Sequence, residues 1–578
     1  MAIAIEQNTE TSLFFSLFAV LGVIATIVLS VVTKNYSLRK KYDGIRKKRQ
    51  QEVKKAIDDL EQRVSGFKGD HITKLTALEI REGIKRGRFT ATEVLKAFQQ
   101  RAVKCHRKTN CLVEPVREAE ADAAAVDAGR KDGLLAGIPI SIKDNVGIKD
   151  YSSTTGAVIH LLDTSKFDSA LIQILRRHGA VIFARSNQPQ LGLSVESSNP
   201  IYGQVLNPHD TSRTPGGSSS GEGALVGSGS SVIGLGSDIG GSVRTPAQWS
   251  GCCTIKATAE RISHFGMEDL ISIGDSCIKV TWGPMTRDID SLALMMRVLW
   301  DGSMHEIDPI SPPLTFDEET YNSTKPLKIA YYYDNGEFAP APVCRRAVDM
   351  AIKELKKRGH TLVEWCPPGA ATAHHLEYQV LFCDAGEEIM EVMKHDRIDP
   401  CFQGVYDILK TPAAAKKAKA HMIRDKDPNS AALLEASCGT GGVSGYFSLE
   451  GKVTKYRRKV LTEMRQMGID AIICPPTAFP ALPFGNSLLS VNGCWYNMIY
   501  NVLNFPSGVV RMTKQNREDI QALDNYEIRD ARHAKVKELI KDGIGLPCGV
   551  MVTAATWHDE QVLRVMKELE KAADYVIS

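Results

Sequence analysis

Lys143, Ser218 and Ser242 are the residues whose types and setting suit covalent catalysis: a lone lysine in an apolar run, and two serines in the glycine-serine tract 215–244. A hydroxyl is inert at its free pKa and needs a group to take its proton before it attacks an acyl carbon. Histidine is the usual base, but none sits in a comparable glycine-lined turn, and His209 and His264 read as surface or packing residues. A neutral lysine can serve when desolvation depresses its pKa, and Lys143 stands beside Ile138, Ile140 and Ile142. In isolation such a lysine reads as a strand-end side chain snorkelling to water. The serine tract reverses that reading. Asp238-Ile-Gly-Gly-Ser242 supplies consecutive amides that glycine lets converge on one point, the arrangement that stabilises an oxyanion. This favours Ser242 as nucleophile without deciding among Ser218, Ser219, Ser220 and Ser242.

The elements that must position these groups alternate between the two secondary-structure periods. Residues 137–144 set Ile138, Ile140 and Ile142 against Pro139, Ser141 and Lys143, a period-two strand with Lys143 at its C-terminal end. A helix over 169–178 leads to a strand over 180–184, and 231–236 is a third strand running into the 237–242 turn. Further strands are expected at 469–474, 507–510 and 549–553, the last followed by a helix over 559–573. Thr90-x-x-Glu93 reads as a capping box, with Val94, Leu95 and Phe98 on the buried face of its helix. Helices are also expected at 116–128 and 191–194. This alternation predicts a layered α/β core with its site outside the strands' carboxyl ends. Residues 213–229 have linker-like composition, but Ala224, Leu225 and Val226 interrupt them before an apolar strand, so a tight backbone is the better account.

With 578 residues, 43% of them hydrophobic, the chain can bury a sizeable core. Its 71 basic and 68 acidic residues leave a net charge of +3, which gives no support for a nucleic-acid surface. The 13 cysteines are scattered without CxxC or zinc-like spacing, and Cys252-Cys253 reads as a buried apolar pair. There is no HExxH, no P-loop ending in GK[ST], and no GxGxxG between a strand and a helix, so neither metal nor cofactor is expected. Residues 12–33 carry no charge and reach the roughly 20 residues a spanning helix needs. Lys34, Arg39, Lys40, Lys41, Arg46, Lys47, Lys48 and Arg49 follow, so the positive-inside bias places the body on the cytosolic side. The expected organisation is a short non-cytosolic N-terminus (1–11), a transmembrane anchor (12–33), a basic juxtamembrane helical arm (34–85) and a catalytic domain (86–578).

The segment GGSSSGEGALVGSGSSVIGLGSDIGGSVRTPA, residues 216–247, resembles the signature of the amidase signature family, and 137–144 resembles its lysine strand. The flanks Ser198-Asn-Pro-Ile-Tyr-Gly203, Trp282-Gly-Pro-Met285 and Gly545-Leu-Pro547 are similar to those of its members that cleave fatty-acid amides. The resemblance implies an α/β fold with a large mixed β-sheet core covered by helices. It makes Ser242 the nucleophile, Ser218 the bridging proton shuttle and Lys143 the base. The amides of Ile239, Gly240, Gly241 and Ser242 would form the oxyanion hole, Ser219 and Arg244 would orient the network, and Asp238 would fix the loop. It further implies long-chain N-acylethanolamines or primary fatty amides as substrates, a homodimer, and the endoplasmic reticulum or another endomembrane as location. Residues 409–424 depart from that pattern: they are rich in alanine and lysine where those relatives carry a strongly apolar helical pair. Residues 191–195 also lack an aromatic residue expected near the acyl channel. Monoacylglycerol hydrolysis, a glutaminase subunit for ammonia transfer and a non-catalytic membrane scaffold are the alternatives.

Overall fold

The isoleucine-rich run becomes a strand that lies between two others and runs parallel to both. In chain order the strands are β1 (Leu112–Pro115), β2 (Pro139–Lys143), β3 (Val181–Ser186), β4 (Ile233–Asp238), β5 (Cys253–Lys256) and β6 (Thr281–Thr286). They continue with β7 (Lys328–Tyr331), β8 (Thr361–Glu364), β9 (Ala471–Cys474), β10 (Ser507–Lys514) and β11 (Pro547–Ala554). The computed structural model describes residues 2–129, 132–268 and 276–574, with most side chains of 2–35 outside that description. Among the described residues the strands form one mixed sheet in the order β1-β3-β2-β4-β6-β5-β10-β11-β9-β7-β8. Pairs β2/β3, β2/β4, β7/β8 and β7/β9 are parallel, and the others are antiparallel.

Every residue of β2, β3 and β4 is buried. The alternation at 137–144 therefore does not mark one wet face, because strands in parallel pairing are covered on both sides. The helices Ala91–Thr109 and Ser220–Gly227 pack against β2. Thr90 and Glu93 make the reciprocal capping box of the first, whose Val94, Leu95 and Phe98 are buried. Ser169 caps the helix Ala170–Arg177 through the Ile172 amide. The helix expected at 191–194 is instead a 3₁₀ turn, Gln190–Gly192, with Leu191 at φ 56°. So short a run cannot offset the nucleation penalty of an α-helix.

The anchor expected at 12–33 is corrected. No helix among the described residues is long and apolar enough to cross a membrane. The uncharged run lies within one continuous 63-residue helix, Ala2–Val64, which past Thr33 carries Lys34, Arg39, Lys40 and Lys41. Most side chains of the run lie outside the described residues. The membrane-anchored function, the membrane as a partner and the single-pass, cytosol-facing location fall with the span. Farther along the same helix, Val53, Ile57, Leu60 and Val64 enter the main apolar core, and Arg49 pairs with Glu114 of β1 at 2.6 Å. A second, smaller apolar cluster gathers Leu191, Val280, Phe382, Met393, Phe402 and Leu409.

Candidate active site

Parallel pairing sets the C-terminal ends of β2 and β4 side by side, with Ile142 opposite Leu235. Lys143 ends β2 and is 1% exposed. Its Nζ lies 2.7 Å from Ser218 Oγ and 2.9 Å from Ser237 Oγ, and Asn145 Nδ2 donates to the same Ser237 hydroxyl at 3.2 Å. Ser218 comes from the turn before the helix Ser220–Gly227, where the Gly217–Ser218 peptide bond is cis. Its neighbour Ser219 is buried and bonds at Oγ to both the carbonyl and the amide of Ser237, each at 3.3 Å. The Ser219 amide donates to the Ser242 carbonyl at 3.0 Å. Ser219 thereby ties the Ser218 turn to β4 and to the Ser242 turn.

Beyond β4 the chain turns through Ile239, Gly240, Gly241 and Ser242, and Asp238 directs the turn. Its carboxylate accepts from the Gly241 amide at 2.8 Å, the Val243 amide at 3.1 Å and Asn501 Nδ2 at 3.0 Å. Arg244 closes on it with contacts of 2.8 and 3.1 Å, and also donates to the Asn497 carbonyl at 2.9 Å and to Asn501 Oδ1 at 2.5 Å. Burial alone would raise the Asp238 carboxyl, but the Arg244 charge and the hydrogen bonds from Arg244 and Asn501 outweigh it. They hold the group far below the usual carboxylate range. Gly241 sits at φ 119°, and a Cβ there would fall 2.9 Å from the Asn497 side chain, so glycine is required.

The Gly241 amide, expected in the oxyanion hole, is thus engaged by Asp238. The amides of Ile239, Gly240 and Ser242 have no protein acceptor among the described residues. Ser242 is half-buried and lines a small cavity of about 40 Å³ with Lys143, Ser218 and Ser237. Leu191, Leu193, Ile239 and Val280 form the apolar side of that cavity, and all four belong to or pack against the second apolar cluster. Leu193 also lines a larger cleft of about 680 Å³. The fold therefore gathers Lys143, Ser218, Ser219, Asp238, Ile239, Gly240, Gly241, Ser242 and Arg244 around one turn. Sequence reasoning missed Ser237, whose only signal was its place directly before Asp238, and Asn501, more than 250 residues away. His209 sits apart, with Nε2 2.8 Å from the Ser250 carbonyl.

Residues 93–563 match the protein family described as Amidase. The chain belongs to the amidase signature family. It is 32% identical over 557 residues to Fatty-acid amide hydrolase 1 of Sus scrofa, covering 94% of this chain and 95% of that one. It is 30% identical over 571 residues to Fatty acid amide hydrolase 1 of Caenorhabditis elegans, covering 97% and 99%. A solved structure titled Fatty acid amide hydrolase aligns with a TM-score of 0.78 at 26% identity, covering 94% of this chain and 97% of that one. The structure of 6-aminohexanoate cyclic dimer hydrolase aligns at 0.66 with 19% identity, covering 87% and 98%, a likeness of fold alone. This amidase is an enzyme of the Ser-Ser-Lys hydrolase type related to fatty-acid amide hydrolases.

Proposed function

We propose that this amidase hydrolyses fatty-acid amides to the free fatty acid and an amine through an acyl-enzyme on Ser242. The observation that carries the reading is one small cavity in which a lysine-serine relay meets an apolar wall continuous with a buried apolar cluster. Neutral Lys143 takes the proton of Ser218, 2.7 Å away, while Ser218 takes that of Ser242 as Ser242 Oγ bonds to the acyl carbon. Negative charge growing on the acyl oxygen meets the amides of Ile239, Gly240 and Ser242. An amine is a poor leaving group until protonated, and the relay run backwards delivers that proton. Water then attacks the acyl-enzyme by the same route. Asp238 and Arg244 act at one remove by holding the turn. A long acyl chain gains from the apolar wall, whereas glutamine would present a polar side chain to Leu191, Leu193, Ile239 and Val280.

The test is labelling with an active-site-directed fluorophosphonate, together with turnover of a matched set: an N-acylethanolamine, a primary fatty amide, a monoacylglycerol and glutamine. The adduct is expected on Ser242 and absent from S242A, with the fatty amides turned over fastest. Labelling elsewhere would sink the mechanism, and faster turnover of glutamine or the monoacylglycerol would sink the substrate assignment.

A further inference from the structure

A second titratable group is buried behind the relay. Glu222 lies on the helix Ser220–Gly227, four residues after Ser218, and is fully buried. Its Oε2 is 2.5 Å from Ser141 Oγ, and Ser141 precedes Lys143 by two positions on β2. Ser141 Oγ is 2.9 Å from Ser231 Oγ, which is 2.7 Å from the Ile233 carbonyl oxygen. Counting protons gives this chain a direction. A carbonyl can only accept, so the Ser231 proton goes to Ile233. Ser231 then accepts from Ser141, which uses the single Ser141 proton. The remaining short contact, Ser141 to Glu222, holds a proton only if Glu222 supplies it.

We infer that Glu222 is a carboxylic acid in the resting enzyme, held so by the Ser141-Ser231-Ile233 chain, and that it is a positioning residue whose neutrality lets Lys143 act as base. The inference rests on Lys143 having that role. A carboxylate here would favour the lysine ammonium, and an ammonium has no lone pair with which to take the Ser218 proton. The other oxygen, Oε1, has no hydrogen bond of normal geometry among the described residues, which a neutral carbonyl tolerates far better than a buried carboxylate. Burial pushes the Glu222 carboxyl up to about 7, against the pull of its hydroxyl neighbours and of Lys143. The groups around it are Ser141 of β2, Ser186 of β3, Ser231 before β4, Cys252 before β5, and Lys143. The Ser186 hydroxyl pulls the Glu222 carboxyl down but makes no hydrogen bond of normal geometry among the described residues. Asp144, at the same end of β2 as Lys143, is engaged by Arg185 at 2.9 Å. Gly234 makes room for the acid, since a Cβ there would fall 2.1 Å from Glu222 Oε2.

Infrared difference spectra of wild type against Glu222→Gln test the protonation directly. The expected result is a protonated-carboxyl C=O stretch at neutral pH that the variant lacks. A carboxylate band lost in its place overturns the inference, whatever the base of the reaction is. The coupling to Lys143 is read from the pH dependence of fluorophosphonate labelling. Ser231→Ala leaves the Ser141 proton to be donated to Glu222, which favours the carboxylate, so the acidic limb should move up by roughly one pH unit. In the Glu222→Gln background the same substitution should cause no shift. No shift in the first case, or an equal shift in both, overturns the coupling. An adduct on a residue other than Ser242 would instead count against the hydrolase mechanism, leaving the infrared result to stand on its own.

Discussion

Lys143 and Lys256 are the last residues of β2 and β5, and each is 1% exposed. They are alike in burial and differ in what touches the nitrogen. Lys256 Nζ lies 3.2 Å from the Ala257 carbonyl, with Arg244, Asp238, Asp559 and Glu377 around it. Burial first, and the Arg244 charge second, push its pKa down to about 7, with the three carboxyl groups opposing. Lys143 reaches the hydroxyls of Ser218 and Ser237, and Ser218 opens into the cavity that holds Ser242. Burial can strip a lysine of its proton, but a base also needs a proton to take, and a backbone carbonyl has none to give. On the proposed mechanism, the hydroxyl beside the nitrogen, more than the burial, separates Lys143 as base from Lys256 as a structural lysine.

The largest break in this comparison should come from Lys143→Ala against Lys256→Met. The first is expected to lower kcat/KM for a fatty amide roughly 10²–10⁴-fold, the usual worth of a general base, and the second to change it by less than about tenfold. Equal losses measured on the two purified variants would erase the distinction. Ser237→Ala sharpens it: Lys143 keeps Ser218 and loses one positioning hydroxyl, so kcat is expected to fall about tenfold at unchanged KM. A rise in KM with kcat intact would move Ser237 from positioning Lys143 to substrate binding.

The smallest effect concerns stability and pH. Folded Lys256 titrates at about 7 and unfolded lysine at about 10.4. Between those values the unfolded chain keeps a proton that the folded one has released, so stability rises with pH across that window. Lys256→Met removes this dependence. The melting-temperature advantage of the variant over wild type should be greatest below pH 7 and shrink toward pH 10, and a gap constant across that range would contradict the depressed titration.

Residue types announced the chemistry more clearly than the surroundings that make it work. Lys143 and the 238–242 turn were legible because a charged residue in an apolar strand and clustered glycines each violate a local pattern. Ser237, Glu222 and Lys256 violate none that stands out: one serine among many, a helix glutamate, and a lysine ending a short apolar run. Their importance comes from sheet order, which places β4 beside β2 and β5 beside β10. Six of the eleven strands among the described residues, β2, β3, β4, β9, β10 and β11, were placed to within a few residues, because short apolar runs bounded by turns are a local signal, whereas β1, β5, β6, β7 and β8 were not. The burial of Ser141 and Lys143 was not, since the coverage of β2 on both faces depends on what packs there. The 12–33 run shows the opposite failure. Its hydropathy suggested a separate span, whereas the structure continues it into a charged helix whose far end joins the core.

The tie between Arg244 and the helix Trp495–Val502 sets an order on the birth of activity. A chain emerging from the ribosome carries lysine and both serines once residue 242 has been made, yet the clasp on its reactive turn comes from Asn497 and Asn501. Some 250 residues of synthesis separate the reagents from the part that sets them. On the proposed mechanism, a nascent or prematurely terminated chain would hold the lysine and both serines without the residues that clasp the Ser242 turn.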